Sequence, residues 1–464
     1  MKRKIYLIAG FALVFAGLVS CQENEHGTVD LTLPDKPIEP VEAQYTYNHP
    51  SGMYSADDFI RVKAMLDNNT APQAVKDEFQ NLKNSPYAAL GYVHNPQQKI
   101  VRGDVTGTGV AKENYSYAMY DAAAAYQKAL LWKLTGDNQY AEGSIKILND
   151  WAKICKEITS NDANHKLAAG CQGYTFANAA EIMQTYEGWN ATDLSAFKKW
   201  MVDVFASKNR EFLDNHQGAN NCPLHYWANW DLVNMCSYWA IGVLTENDDM
   251  INYVVNYFYN GKGNGCIKNL IQATFDDPLG TGESISQNQE SGRDQGHASM
   301  SVAVAAHLSQ MSYTLYLNNK SVPELDFFAA NDNAMMKMGE YTALFNLKNG
   351  TDNSNSTGTW LITANKMPFK EYLYCTGCSC KDQNHGATQS VIADDTSRGG
   401  VRPGWEILYN HYAKVKGVGS GYKYVKQISD KIRPEGGAGD SRYGTNSGAF
   451  DQLGWGTLMM YREQ

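Results

Sequence analysis

The 464-residue chain has no surplus of basic charge: 40 lysines and arginines stand against 49 aspartates and glutamates, for a formal net charge of −9. A nucleic-acid binder normally carries a basic stripe or excess, so that class is set aside. No fixed-period repeat of the tetratricopeptide kind is present. Strand-like alternation is scarce, confined to short stretches around 359–364 and 388–393. No G-x-S-x-G elbow surrounds a serine, no glycine-rich phosphate loop follows a strand, and no HExxH spacing occurs, which disfavours serine hydrolase, nucleotide and zinc-protease chemistry. The cluster CTGCSC (Cys375, Cys378, Cys380), with His385 nearby, lacks the second CxxC half of a zinc ribbon. A loop disulfide or free thiols are expected there, and no metal.

The chain does have a distinctive start. MKRKIYLIAGFALVFAGLVSC places three basic residues before an apolar run too short for a comfortable membrane span, which is the pattern of an export signal. Leu18-Val19-Ser20-Cys21 resembles a bacterial lipobox, whose cysteine is lipidated. The expectation is a signal peptide over 1–20, a flexible acidic tether over 21–44 and one domain over 45–464, in a lipoprotein held at the outer membrane by its lipid anchor alone. No other segment approaches transmembrane length, so the domain is expected to be soluble. Aromatic content is high, with 29 tyrosines and 10 tryptophans, which suits sugar rings and a large helical core equally well.

Helical signals recur along the domain. Ser55-Ala-Asp-Asp58 reads as a capped start, followed by Phe59, Val62 and Leu66 at helical spacing. Residues 115–134 and 138–158 form a pair broken at Gly136-Asp137, and further helices are expected over 174–188, 192–213, 224–244, 247–260, 288–318, 331–347, 403–416 and 420–432. Successive hairpins with short loops close as a solenoid or a toroid. The length allows about six to seven hairpins, and the predicted fold is an all-α (α/α) toroid, an incomplete barrel with a cleft at its inner helix ends.

Three stretches carry candidate chemistry. In GANNCPLHYWANWD (218–231), Pro223 suits the first turn of a helix capped by Asn221 or Cys222. His225 and Asn229 would then share one face, with Tyr226 and Trp230 on the next stripe. Polar groups gathered at a helix N-terminus, where N–H groups and dipole favour an anion, predict a carboxylate ligand there. In the second stretch Glu290, Arg293, Asp294 and His297 fall at i, i+3, i+4 and i+7, one stripe if helical. Arg293 offers a planar fork for a carboxylate, Glu290 or Asp294 can orient it, and Glu290 and Gln295 join Asn221, Tyr226 and Trp230 as expected substrate contacts. The third stretch, 402–417, brings Glu406, Tyr409, Asn410, His411 and Tyr412 as possible cleft residues, His411 as a substrate contact. The glycine-rich 436–462 either lines a groove or ties the last helix to the first.

YSADDFIRVKAML, AYQKALLWKLTGDNQYAEGSIKILNDWA, ANWDLVNMCSYWAIGVLTENDD, SGRDQGHASM, RPGWEILYNHYAK and the closing GWGTL, colinear over 48–462, resemble the alginate lyase superfamily of polysaccharide lyases. The resemblance implies a monomeric toroid that cleaves alginate, mannuronate-rich, or glucuronan by β-elimination, with an acidic polysaccharide as partner and neither cofactor nor metal. It makes Asn229 the carboxylate neutraliser, and gives Arg293 and His297 the charge-stabilising and base positions. Some relatives carry NNH where this chain has NNC, so Cys222 stands where a histidine is expected; the base is open between His225 and His297, and the tyrosine between Tyr226 and Tyr412. Two other readings are a glycoside hydrolase using two of Asp231, Glu283, Glu290 and Asp294, and a lipid-anchored glycan-binding protein.

Overall fold

Local signals start and stop the helices where the chain turns. In the computed structural model, which describes residues 37–103, 112–216, 222–352, 355–374, 388–400, 402–444 and 446–462, helix α1 (Ala56–Asp67) opens on a full capping box between Ser55 and Asp58. Cys21, Asn221, Cys375, Cys378, Cys380 and His385 lie outside the described residues. Helix α2 (Gln73–Asn84) follows, then α3 (Tyr115–Thr135), which ends at Gly136 in a left-handed conformation, φ +76°. Asp137 caps α4 (Asn138–Ile154) by accepting from Gln139 N, so the Gly-Asp break is a C-cap and an N-cap in succession.

The order continues through α5 (Asn164–Met183), α6 (Ala191–Trp200), a π-helical turn (Met201–Ala206), α7 (Ser207–Asn215), α8 (Ala228–Thr245), α9 (Asp248–Asn260) and a short α10 (Ile267–Leu270). Helix α11 (Gln295–Tyr316), α12 (Ala330–Asn346), α13 (Trp405–Asn410), α14 (Lys423–Ile432) and α15 (Gly456–Met459) complete it. Helices α5, α8 and α11 are buried on nearly every side, whereas α4 buries one stripe through Ala141, Ser144, Ile147, Leu148 and Trp151. That division into inner helices apolar all round and outer helices apolar on one face builds the two rings of a toroid. Small residues let the inner ring close: a Cβ at Gly170 would sit 2.6 Å from Val233 Cγ2, and one at Gly173 would sit 2.1 Å from Ser237 Oγ. Helices α5 and α8 pack in contact along this seam.

Strands are few and short. β1 (Lys99–Val101) pairs in parallel with β2 (Glu157–Thr159), and β5 (Tyr372–Leu373) pairs antiparallel with β6 (Thr388–Gln389). The strand expected near 359–364 is a single bridge, Lys348 to Trp360. The hairpin β3 (Ile271–Asp276) and β4 (Ser284–Asn288) was not visible as alternation, because β4 is buried from Ile285 onward on both faces. It takes the first residue of the helix expected over 288–318, which begins only at Gln295 after a turn.

The N-terminal segment expected to be loose up to residue 44 is docked from Ile38. Asn260, Asn256 and Asn252, one turn apart on α9, each accept from a backbone N–H and donate to a backbone C=O of Ile38, Val41 and Ala43 respectively. Asp248 accepts from Tyr45 N at 3.2 Å, and Asn319 clasps Thr46 in the same two-point way. The strap thus runs antiparallel to α9.

The ring closes where the chain's two ends meet. Glu78 on α2 accepts from Gly436 N and Leu458 N, and Gly437 bridges Gly454. Glu435 accepts from Gly404 N and Trp405 N at the start of α13, while Arg433 pairs with the neighbouring Glu406. Burial pushes Glu78 and Glu435 up to about 8, against the pull of those backbone donors and with the other carboxylates of the cluster adding to the push. Carboxyls raised in the folded state bind more protons than in the unfolded chain, so their contribution is full below the ordinary carboxylate range and is lost as pH rises through about 8. Thermal scans should therefore show the midpoint falling from about pH 5 to about pH 9, with Glu435→Gln flattening the slope; an equal slope in wild type and variant would contradict this.

Candidate active site

The turn between β4 and α11 passes beneath the start of α8. Glu290 N donates to Asn288 Oδ1 at 2.9 Å, and Arg293 N donates to Glu290 O at 3.0 Å, so 290–293 is a turn and not the helical stripe expected. Asp294 caps α11, accepting from His297 N at 2.8 Å. Above it, α8 starts at Ala228, six residues after Cys222, the later of the two expected caps, and Cys222–Trp227 is non-helical. His225 and Asn229 are accordingly not on one helical face.

The anion that the α8 N-terminus calls for is a side chain of the protein. Ala228 N donates to Gln289 Oε1 at 3.0 Å and Asn229 N to Glu290 Oε1 at 2.8 Å. Asn229 Nδ2 lies 2.7 and 2.9 Å from the two carboxylate oxygens of Glu290, and Ser301 Oγ and Arg293 Nη1 donate to the same group at 2.8 and 2.9 Å. Glu290 is fully buried and Asn229 nearly so. This corrects two expectations: the Asn229 amide is committed to Glu290 and not presented to a ligand, and Glu290 is not a substrate contact. Gln295 is likewise buried, with its N–H on Asp395, its Nε2 on Ala393 O and its Oε1 accepting from Asn346.

Arg293 and His297 are what the turn offers to solvent, their side chains 24% and 38% exposed. The guanidinium is held from three sides. Nη1 bonds Glu290, Nε sits 3.4 Å from Asp294 Oδ2, and the group lies 5.0 Å from the centre of the Trp227 indole, which stacks at 3.8 Å on Tyr374. Nη2 lies 3.2 Å from His297 Nε2. Arginine can only donate, so Nε2 is the accepting nitrogen, and Nδ1–H donates to Asp294 Oδ2 at 2.7 Å. Burial pushes the Asp294 carboxyl up, but the hydrogen bonds and charge of His297 and the charge of Arg293 outweigh it and hold it at about 2. Asp294 is therefore ionised throughout the working range, and its bond to Nδ1 orients the ring so that Nε2 faces Arg293.

The other expected residues divide. Tyr226 and Trp230 are half-buried beside this cluster, their rings 4.7 Å apart and both packed on Phe212. His225 is buried against Tyr226 and its carbonyl accepts from Tyr374. Cys222, where the resemblance expects a histidine, is buried and disulfide-bonded, which removes it as a base. Tyr412 and His411 are not brought here: Tyr412 is wholly buried and donates to Phe328 O at 2.8 Å, and His411 stacks on Phe328 at 3.7 Å beside Tyr313. Tyr313 lies four turns along α11 from His297, about 24 Å at 1.5 Å per residue. Burial also pushes His411 well below its ordinary value. Glu406 and Asn410 hydrogen-bond each other inside the closure of the ring.

Sequence reasoning missed a cavity of about 580 Å³ on the other side of the first turn of α11, between Gly296, Ser397, Arg402, Arg442, Tyr443 and Asn446. Its signal was present in the 402–417 and 436–462 stretches, the second of which both lines a groove and ties the ring, the two alternatives considered for it. Among the described residues no group of three or more histidines, cysteines or carboxylates is placed to hold a metal, and no helix is long and apolar enough to cross a membrane.

The described residues thus form a two-ring helical toroid with a partly exposed arginine–histidine–aspartate array at the start of α11. Residues 62–269 match the family model for alginate lyases. The chain is similar in fold to an alginate lyase from Bacteroides ovatus, at 12% identity over 90% of this chain and 100% of that one, with a TM-score of 0.51. A histidine-to-alanine variant of alginate lyase A1-III complexed with a tetrasaccharide is 13% identical over 91% of this chain and 98% of that one, also at a TM-score of 0.51. At that identity these likenesses establish the (α/α) toroid and no more. No curated protein sequence matches the chain.

Proposed function

We propose that the protein cleaves a polyuronate, alginate in its mannuronate-rich blocks or glucuronan, by β-elimination at Arg293 and His297. The observation that carries this is the shared edge of the two side chains: Arg293 Nη2 and His297 Nε2 are 3.2 Å apart, with Asp294 behind the imidazole and Glu290 behind the guanidinium. A uronate carboxylate that takes the arginine's outer N–H groups is neutralised, which makes the adjacent C5 proton more acidic and stabilises the charge that develops as it leaves. The Nε2 lone pair, released from Arg293, takes that proton. The C5 electron pair forms the C4=C5 bond as the C4–O4 bond breaks, and the imidazolium gives the proton to the departing O4. Base and acid are then one group on one face of the ring. Mannuronate and glucuronate carry H5 and O4 on the same face, whereas guluronate carries them on opposite faces.

A hydrolase needs two carboxylates facing a cleft. Glu290 is buried under five hydrogen-bond contacts, and Asp231 is buried between His216, Tyr257 and Gly265 N, so two of its four candidates are withdrawn. An acidic polysaccharide partner, a monomeric state, and outer-membrane anchoring through Cys21 complete the proposed picture. Ultraviolet absorbance on polymannuronate, glucuronan and polyguluronate tests it: absorbance from the conjugated double bond should rise on the first or second and stay flat on the third. New reducing ends without absorbance would make the protein a hydrolase, and binding without either would make it a carrier of glycans.

A further inference from the structure

The cavity beside Gly296 holds charge that the reaction does not use. None of its lining residues is acidic, and they include two arginines, hydroxyl and amide groups, and glycine backbone. The two arginines differ. Arg442 is closed by bonds to Ile432 O, Glu435 O and Asp440, so it is a wall. Arg402 uses Nη1 alone, on Gly448 O at 3.3 Å and Asp451 at 3.2 Å, and its Nε and Nη2 have no acceptor among the described residues. A side chain at Gly448 would begin 3.3 Å from that Nη2, so the glycine keeps this edge of the guanidinium open. Next to it, Arg102 lies over the Tyr115 ring and reaches Ser447 Oγ at 3.5 Å, while its Nη1 is buried with no hydrogen-bond partner. Arg402 is thus the lining cation with an open edge, in a space of about 580 Å³ that shares the first turn of α11 with His297.

An unfilled planar fork, flanked by Ser397, Asn446 and Tyr443 in a pocket of this size, matches a sugar that bears a carboxylate. We propose that this cavity is a second uronate subsite, in which Arg402 takes the carboxylate of another unit on the polymer reacting at Arg293 and His297. The inference rests on the polyuronate reading above. Its consequence is selectivity: the protein favours runs of consecutive acid sugars over chains in which neutral sugars interrupt them.

The test compares wild type, Arg402→Gln and Thr396→Trp on polymannuronate and on the same polymer with part of its carboxyls reduced to alcohols. Thr396 is an exposed residue of the cavity wall, so tryptophan there fills the space without touching the Arg402–Asp451 pair. Loss of one charge-assisted contact should raise KM about tenfold, with kcat within about twofold. Wild type should lose efficiency on the reduced polymer, and both variants should lose that discrimination. KM unchanged in both variants, or a fall in kcat alone, overturns the subsite. If wild type forms no unsaturated product on any polyuronate, the lyase reading fails by itself. Calorimetric titration of the full chain with mannuronate oligomers then decides: affinity about tenfold weaker in Arg402→Gln keeps the subsite, and equal affinity removes it.

Discussion

His297→Ala should lower kcat on the preferred polyuronate by about 10²- to 10⁴-fold while leaving KM within a few-fold, because positioned acid–base groups contribute that much and do so in the transition state. The side chain is half-exposed and does not hold the fold: its ring contacts are Asp294 and Arg293, both at the surface of the turn. An unfolding midpoint close to wild type should accompany the loss. Asp294→Asn removes the charge that fixes Nδ1–H and weakens the α11 cap, so it should show a smaller kcat loss together with a modest loss of stability. Equal kcat in His297→Ala and wild type would mean that another group carries the proton.

Arg293→Ala should cost about 10²- to 10³-fold in kcat/KM, the range found when one preorganised donor to a developing anion is removed. Unlike His297, Arg293 contacts the carboxylate in ground and transition states, so KM should rise as well as kcat fall. Arg293→Lys should not restore activity. A lysine cannot bond Glu290 and Asp294, lie over Trp227 and still turn an N–H outward, which is what the fork of the guanidinium does here. Recovery to near wild-type rates with lysine would show that charge alone suffices, and the fixed geometry would lose its assigned purpose.

The parts of this molecule readable from sequence are those that neighbours in the chain decide. Ser55 and Asp58, three positions apart, cap α1 between themselves, and Gly136-Asp137 end one helix and start the next within two positions. The inner helices show themselves by being apolar all round. That Arg293 and His297 stay out of the core was legible because a charged stretch with glycines is poor core material. What failed depended on distant chain. Pro223 is compatible with many turns, and α8 starts later because its N–H groups find their acceptors in Gln289 and Glu290, sixty-one residues away. The same contact turned Asn229 from a presumed ligand-binding amide into part of the scaffold. His411 and Tyr412 have the residue types of a cleft and the burial of a core, and nothing local distinguishes the two. The cavity around Arg402 and Tyr443 exists only because the 396–400 turn and the C-terminal stretch meet over α11.

The asparagine ladder on α9 has a mechanical consequence. Its clasps engage the backbone of Ile38, Val41 and Ala43, so most side chains of the strap can change freely, but a one-residue insertion would put every clasp out of step. Tension applied to the chain ahead of residue 37 runs along the helix axis, and it loads the bonds at Asn260, Asn256 and Asn252 in shear instead of peeling them one by one. A pull from that end would therefore be delivered to α9, and not to the turn that carries Arg293 and His297.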